Sequence, residues 1–182
     1  CPFAQRAWMA LEEFGLEYEL MECELYGSKP KRLLELNPSG KVPVLYDEAT
    51  ARATPESEVI LDVIAARAGA EAQADRTATW RRVVNQELLP AGKRAKCGGS
   101  RGDVDVLGAA LRKLDALVEG PFAAGEAVTV ADLSAAPMMQ RLFEDRMVPQ
   151  EHAKLHSWWR AVEALPSYQK TKLRPGEYWW WW

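Results

Sequence analysis

The sequence predicts an α+β protein with two domains, a mixed domain over residues 1–70 and an all-helical domain over residues 75–178. Strand patterns occur only in the first part of the chain, whereas the apolar residues of the later segments recur at helical spacing. Between residues 69 and 75 the composition shifts to Ala, Glu, Gln and Asp, which is typical of a linker. We therefore expect two folding units joined at this point.

Helices and strands alternate in the predicted N-terminal domain. A helix from Pro2 to Phe14 is predicted because apolar residues recur at helical spacing and Gly15 provides a C-terminal cap. Apolar residues alternate with acids from Leu16 to Leu20, which predicts a half-buried strand. The further predicted elements are a helix Pro30–Leu36, a strand Val42–Leu45, a hairpin through Asp47 to Ala53, and a helix Glu56–Ala68. The side chains expected to point inward are Phe3, Ala7, Leu11 and Phe14 on the first helix and Val59, Ile60, Val63 and Ile64 on the last.

The second domain is predicted to contain only helices. Their expected spans are Thr77–Lys96, Val104–Glu119, Val130–Phe143 and Glu151–Ala164. Gly-rich or Pro-containing segments such as Cys97–Ser100 separate them.

Composition excludes several classes of function. A chain of 182 residues with 48% hydrophobic residues can bury a core. Its net charge of -3 comes from interspersed acids and bases, without the basic face that phosphate neutralisation requires, so nucleic acid is not an expected partner. No apolar run is long enough to span a bilayer, so we expect a soluble protein without a membrane partner.

Cysteine and histidine usage argues against a metal site. Cys1, Cys23 and Cys97 are odd in number and widely spaced, which fits neither a disulfide framework nor a zinc cluster and suits a reducing compartment. His152 and His156 could share one helical face, but no third ligand lies near them in the sequence. We expect no bound metal.

The segment Cys1-Pro2-Phe3-Ala4-Gln5-Arg6 places a thiol at the start of the first helix. Unpaired backbone N–H groups and the helix dipole stabilise an anion there, and cysteine pKa values at such positions fall from about 8.5 to as low as about 3.5. Ala4 stands where a second cysteine would complete a Cys-x-x-Cys motif, so a mixed disulfide on Cys1 must be resolved by an external thiol. The alternative is that Cys1 is an inert, small buried residue.

Two more motifs have a binding interpretation. The Val42–Pro43 bond, at the entry to a strand, is a natural place for a cis peptide that would present the Val42 backbone to an extended peptide ligand; an ordinary edge-strand proline is the alternative. Glu56 and Ser57 open a helix, where a hydroxyl and free N–H groups can hold a carboxylate and Glu56 can accept an ammonium group. Simple helix capping is the alternative for this pair.

These motifs, in this order and spacing, resemble the cysteine-type glutathione S-transferases, namely the omega, lambda and dehydroascorbate-reductase branch. The likeness continues through Gly120–Glu126 and through Thr129-Val130-Ala131-Asp132, which reads as a capping box with Thr129 as N-cap. Trp158, Trp159 and Pro166-Ser167-Tyr168 resemble the last helices of that superfamily. The resemblance implies a thioredoxin-like domain followed by an all-α transferase domain.

The resemblance also implies roles for individual residues, with glutathione as co-substrate. Cys1 would form a mixed disulfide with glutathione, Val42 would pair with its cysteinyl backbone next to Pro43, and Glu56 and Ser57 would hold the γ-glutamyl end. Lys29, with Lys41 as the weaker candidate, would approach the glycyl carboxylate, and Phe3 would line the site. Apart from the resemblance, Trp80 and Arg81 would border a second-substrate pocket because clefts between domains are common ligand sites, although Trp80 equally fits a core position.

Two features depart from that family. Its members have a strand before the cysteine, so we expect that this sequence is a fragment or lacks its true N-terminus. The tail Tyr178–Trp182 has no physical explanation beyond local packing or an artefact.

Three functions follow as hypotheses. The first is a glutathione-dependent thiol transferase or reductase acting on a small-molecule or glutathionylated substrate such as dehydroascorbate or a small disulfide. The second is glutathione conjugation to electrophiles, which a cysteine at position 1 disfavours. The third is a non-catalytic ligand-binding or chloride intracellular channel-like protein. We expect a monomer or homodimer in the cytoplasm, with a plastid as the alternative location.

Overall fold

The computed structural model of the chain describes residues 1–24, 27–70 and 74–173. Its N-terminal elements are the helices α1 (Pro2–Glu13), α2 (Lys31–Leu36) and α3 (Ser57–Arg67) and the strands β1 (Val44–Asp47) and β2 (Arg52–Pro55). The elements that follow are α4 (Ala74–Val83), a π-helical segment (Val84–Leu88), α5 (Leu89–Lys96), α6 (Arg101–Leu117), α7 (Val130–Glu144), α8 (Ala153–Glu163) and α9 (Pro166–Thr171). This confirms the predicted α+β class, while the domain bounds 1–70 and 75–178 stay predictions. Part of the predicted linker and the whole Tyr178–Trp182 tail lie outside the described residues.

The strands β1 and β2 form an antiparallel hairpin that Asp47 closes. Asp47 lies opposite Arg52 in the register. Its carboxylate accepts hydrogen bonds from the Ala49 N–H at 3.1 Å and the Thr50 hydroxyl at 2.9 Å, as Asp does in tight turns. The predicted hairpin is therefore confirmed, with the first strand beginning at Val44 rather than two residues earlier.

The predicted strand from Leu16 to Leu20 is not present as a strand. Its side chains do alternate at first, since Leu16 and Tyr18 are half-buried while Glu17 is exposed. A strand also requires backbone hydrogen bonds to a neighbour, and among the described residues β1 and β2 pair only with each other. Leu20 is 48% exposed, so the alternation ends there.

The buried face of α1 differs from the predicted one. Of the expected stripe, Phe3, Leu11 and Phe14 are only half-buried. The buried residues are Pro2, Gln5, Arg6, Ala7, Met9 and Ala10. Polar Gln5 and Arg6 can occupy this face because both find hydrogen-bond partners on α7, which offsets the cost of removing them from water.

Helix α3 also turns a slightly different face inward. Ile60 and Ile64 are fully buried, as predicted. Leu61 is buried as well, whereas Val59 is 48% exposed and Val63 is half-buried. The inward arc thus lies nearer to Leu61 than the sequence indicated, because α3 is packed between α1 and α7.

The predicted helix from Thr77 to Lys96 is continuous but not regular. It contains the π-helical segment between α4 and α5, and Pro90 follows at the start of α5. Proline has no N–H to donate to the carbonyl one turn earlier, and wider π turns commonly accommodate such an interruption. The helices α6, α7 and α8 fall close to their predicted spans, and α9 is an additional short helix in the region Pro166–Tyr168.

Helix α7 is the centre of the helical core. All of its residues from Val130 to Leu142 are buried. The predicted capping box at its start is confirmed: Asp132 accepts hydrogen bonds from the N–H and hydroxyl of Thr129 at 2.9 and 3.1 Å. The same buried carboxylate accepts from the Ala123 N–H at 2.8 Å and the Trp158 indole at 2.7 Å. One side chain therefore joins the preceding loop, α7 and α8.

Candidate functional site

Cys1 is the N-cap residue of α1, with Pro2 at the first helical position. Its side chain is half-buried, and its carbonyl accepts the first helical hydrogen bond from the Gln5 N–H at 3.0 Å. The first N–H groups of a helix have no partner within the helix, and a residue at this positive end of the helix is in a position that favours a negative charge on its side chain. The geometry therefore suits a thiolate.

The backbone before β1 meets this sulfur. Cys1 Sγ lies 4.0 Å from the carbonyl oxygen of Val42. The Val42–Pro43 peptide is cis, as the sequence indicated. Asn37 fixes the approach to it: its side-chain amide donates to the Lys41 carbonyl at 2.9 Å. The structure thus brings Cys1 next to the Val42–Pro43 segment, which is far from it in the sequence.

Glu56 and Ser57 begin α3 in an unusual conformation. Glu56 has φ 70°, a left-handed value that is strained for a residue with a side chain. Strain of this kind occurs most often at binding sites and active sites. Glu56 is exposed and makes no side-chain capping bond, so in this described segment the simple capping alternative does not hold. Ser57 is buried and its hydroxyl oxygen accepts from Arg6 Nη1 at 3.4 Å.

The two candidate lysines differ in their placement. Lys29 is half-buried, and its Cγ lies 3.4 Å from where a Cβ on Gly40 would stand. Gly40 has φ 64°, so a glycine suits this turn for both conformation and space. Lys41 is exposed. Lys29 thus packs against the turn that leads to Val42.

Phe3 and Arg6 contact each other on α1. The guanidinium carbon of Arg6 lies 5.3 Å from the centroid of the Phe3 ring, within the range of a cation–π contact. Phe3 is half-buried. It therefore lies beside the guanidinium group that contacts Ser57.

Trp80 and Arg81, the candidates for a second-substrate pocket, differ in their surroundings. Trp80 is 1% exposed and its ring lies 5.5 Å from that of Trp158, so the core alternative is correct. Arg81 is instead engaged by acids on α3: its Nε lies 2.5 Å from Glu58 and its Nη1 2.6 Å from Asp62.

A charged cluster that was not predicted from the sequence adjoins Ser57. Glu58 Oε1 lies 3.0 Å from Arg6 Nη1 and accepts from the Ser134 hydroxyl at 2.6 Å. Arg6 Nε also donates to the Ser134 carbonyl at 2.6 Å. One signal was available: Arg6 lies on the same helical face as Met9 and Ala10, both fully buried.

The cluster shifts the proton equilibria of its members. Burial lowers the pKa of Arg6 to about 10, against the opposing effect of Glu58. Burial alone would raise the pKa of Glu58, but the charges of Arg6 and Arg81 and the Ser134 hydroxyl together outweigh it and lower that pKa. At neutral pH both arginines are cations and Glu58 is an anion.

Comparisons with known proteins agree with this arrangement. Residues 1–67 match the model of the glutathione S-transferase N-terminal domain. The chain is 29% identical to the probable glutathione S-transferase DHAR1, cytosolic, of Oryza sativa subsp. japonica, covering 94% of this chain and 84% of that protein. It is 28% identical to the probable glutathione S-transferase DHAR4 of Arabidopsis thaliana, with the same coverage of 94% and 84%. Glutathione transferase Omega 3C from Trametes versicolor has the same fold, with a TM-score of 0.84 at 24% identity over 96% of this chain and 86% of that one.

The first part of the chain thus matches a glutathione S-transferase domain, and the chain over most of its length is similar to proteins named glutathione S-transferases. The predicted resemblance to the omega and dehydroascorbate-reductase branch is confirmed by these relatives and neighbours. Other relatives are named chloroplastic. Within the described ranges, no helix of the chain is both long and apolar enough to cross a membrane. The same ranges contain no group of side chains that could hold a metal ion.

Proposed function

We propose that this chain is a glutathione-dependent thiol transferase or reductase whose reactive group is Cys1. The observation that carries the proposal is the position of Cys1 Sγ at the N-terminus of α1, 4.0 Å from the Val42 carbonyl. The helix N-terminus favours the thiolate form of Cys1. The Val42 carbonyl lies at the backbone edge where an extended peptide can pair. A thiol of glutathione paired with Val42 would then lie beside Cys1.

The remaining site residues fit the other ends of the tripeptide. Exposed Glu56 can accept the γ-glutamyl ammonium group, while Ser57 and the free N–H groups at the start of α3 can receive its α-carboxylate. Lys29, which packs beside the turn before Val42, is the better placed of the two lysines for the glycyl carboxylate, because Lys41 is exposed.

The proposed reaction consists of two thiol–disulfide exchanges. In the first, the Cys1 thiolate attacks the glutathione sulfur of a glutathionylated substrate; the Cys1–glutathione disulfide forms, the substrate disulfide breaks, and the substrate leaves as a thiolate that takes up a proton. In the second, the thiolate of free glutathione attacks the glutathione sulfur on Cys1, releasing oxidised glutathione and the Cys1 thiolate. Ala4 provides no second thiol to compete with this step.

The substrate class remains broad. Small mixed disulfides and glutathionylated proteins react by these two exchanges. Dehydroascorbate would instead take up two electrons and two protons as Cys1 and one glutathione are oxidised to the mixed disulfide, and a second glutathione would then release Cys1 as above. The cytoplasm is the proposed location, although cytosolic and chloroplastic relatives both occur. Whether the protein is a monomer or a homodimer is left to measurement of its mass in solution.

Mass spectrometry of the whole protein and its peptides tests the proposal. After incubation with oxidised glutathione, we expect one glutathione adduct, on the peptide that contains Cys1, and its removal by reduced glutathione. Cys23→Ser and Cys97→Ser are matched controls that should keep the adduct, whereas Cys1→Ser should lose both the adduct and turnover of a glutathione mixed disulfide. An unmodified Cys1 in the folded protein, or full turnover by Cys1→Ser, would refute the proposal.

A further inference from the structure

A charged network links the proposed carboxylate site to the helical part of the protein. Glu58, in the first turn of α3, is in contact with Arg6 of α1, Arg81 of α4 and Ser134 of α7. Arg81 Nη2 also donates to the backbone carbonyl of Glu58 at 2.9 Å. The residue that follows Ser57 is therefore held through both its side chain and its backbone.

The network acts directly on the Ser57 hydroxyl. A serine hydroxyl has one hydrogen to donate and two lone pairs that accept. Arg6 Nη1 occupies a lone pair of Ser57 at 3.4 Å, so the hydroxyl hydrogen is left for another acceptor. A carboxylate has only acceptor atoms, which makes it the matching ligand group.

The two arginines of the network are paired with two acids that differ in exposure. Arg6 is fully buried, and Glu58 is the carboxylate that it shares with Arg81. Asp62, the second acid on Arg81, has a side chain that is 60% exposed, so solvent screens it. Arg6 Nη2 has no hydrogen-bond partner within the described part of the chain. The guanidinium group that contacts Ser57 thus keeps a buried donor without a partner, which favours a ligand with acceptor atoms, such as an anion.

Stability alone does not explain such a network. Buried ion pairs contribute little beyond what apolar residues of the same volume would contribute, because removing the charges from water is costly. Two arginines from other helices, Arg6 and Arg81, contact the first turn of α3. Their position therefore points to a role in the proposed binding site.

We propose that Arg6, Glu58, Arg81 and Ser134 are positioning residues that orient the Ser57 hydroxyl toward the α-carboxylate of glutathione. The inference rests on the proposed function and deepens it. The helices α4 and α7 carry no residue of the proposed site. Through this network they would nevertheless control the affinity for the α-carboxylate end of glutathione. The chemistry at Cys1 is independent of this control.

Arg81→Gln and Arg82→Gln form a matched pair of variants. The two arginines are neighbours on α4, but Arg82 is exposed and pairs with Glu87 at 3.2 Å on the surface. Each variant is titrated calorimetrically with glutathione and with γ-aminobutyryl-cysteinyl-glycine, which lacks only the α-carboxylate. The ratio of the two dissociation constants measures recognition of that carboxylate, and general loosening of the fold does not change it.

We expect the wild-type protein to prefer glutathione by about 10- to 100-fold, the usual range for hydrogen bonds to a charged group. Arg81→Gln should reduce this preference by about tenfold, while Arg82→Gln should leave it within about twofold. The rate at which a neutral aromatic disulfide without a peptide moiety modifies Cys1 should be the same in all three proteins.

Ser134→Ala provides a second test if Arg81→Gln does not fold. It removes only the hydroxyl that donates to Glu58, and the expected loss of preference is about two- to tenfold. An unchanged preference in the folded variants, or an equal loss in Arg81→Gln and Arg82→Gln, overturns the positioning role and leaves the Cys1 chemistry standing. If wild-type Cys1 forms no glutathione adduct, the proposed function fails first and this inference fails with it.

Discussion

Removing the Asp132 carboxylate should destabilise the protein far more than removing an equivalent carboxylate at the surface. Asp132 is fully buried and accepts hydrogen bonds from the Thr129 N–H and hydroxyl, the Ala123 N–H and the Trp158 indole. In Asp132→Ala the last two donors stay in the core without an acceptor. Asp103 makes the same capping box with Ser100 at the start of α6, but in an exposed setting, so Asp103→Ala is a matched control.

The magnitude follows from these contacts. Each buried donor left without a partner costs about 1–3 kcal/mol, and loss of a capping interaction costs about 1 kcal/mol. Burial of the charged carboxylate is itself unfavourable and raises the pKa of Asp132. Removing this charge therefore offsets part of the loss of stability. We expect Asp132→Ala to lower the free energy of unfolding by about 3–5 kcal/mol. For Asp103→Ala we expect a clearly smaller loss, since its ion pair with Arg94 lies at the surface and water can replace its contacts.

Urea unfolding followed by circular dichroism and by tryptophan fluorescence measures both values. The two probes should give coincident transitions if the unfolding is two-state. A difference between the variants of less than about 0.5 kcal/mol would refute the reasoning, because burial of the donors would then not matter.

Three further outcomes are expected in the same assay. Since the pKa of Glu58 is lowered in the folded protein, the unfolded state binds more protons, so stability should fall as the pH drops below about 4.3; Glu58→Gln should lack this part of the slope. Trp158→Phe should cost about 1–3 kcal/mol more than Trp80→Phe, because only the Trp158 indole has a hydrogen-bond partner in the described chain, and equal losses would contradict this. Gly108→Ala, with nothing closer than 3.5 Å to the new methyl group, should stabilise α6 by about 0.5–1 kcal/mol, whereas Gly99→Ala meets a carbonyl oxygen at 2.4 Å and should destabilise.

The parts of the site that could be predicted are those encoded in short segments. Cys1 before a proline at a helix start, Val42–Pro43 at a strand entry, and Glu56–Ser57 at a second helix start each have a local physical meaning. The structure adds that the first two meet in space. The charged network could not be predicted, because its hydrogen bonds join residues 128, 76 and 23 positions apart.

The same contrast applies to the fold. The capping box at Thr129 and Asp132 was readable because its residues are three apart and follow a known pattern. The prediction of a strand from Leu16 to Leu20 was wrong. Alternation of apolar and polar residues predicts which side chains face inward, but not whether a partner strand is present. Arg6 was missed on α1 because polarity suggests exposure until a partner from another element is known.

The shared anchoring of Glu58 bears on how such proteins can be recombined. Two of its three contacts come from α4 and α7, so the N-terminal part of the molecule does not by itself supply the partners of this side chain at the start of α3. A chimera that grafts residues 1–70 onto a foreign helical module keeps Arg6 but loses the other two contacts unless the graft also carries them. The connecting segment is therefore not the only link between the two parts: such a graft must also preserve side-chain contacts, and those of Glu58 are among them.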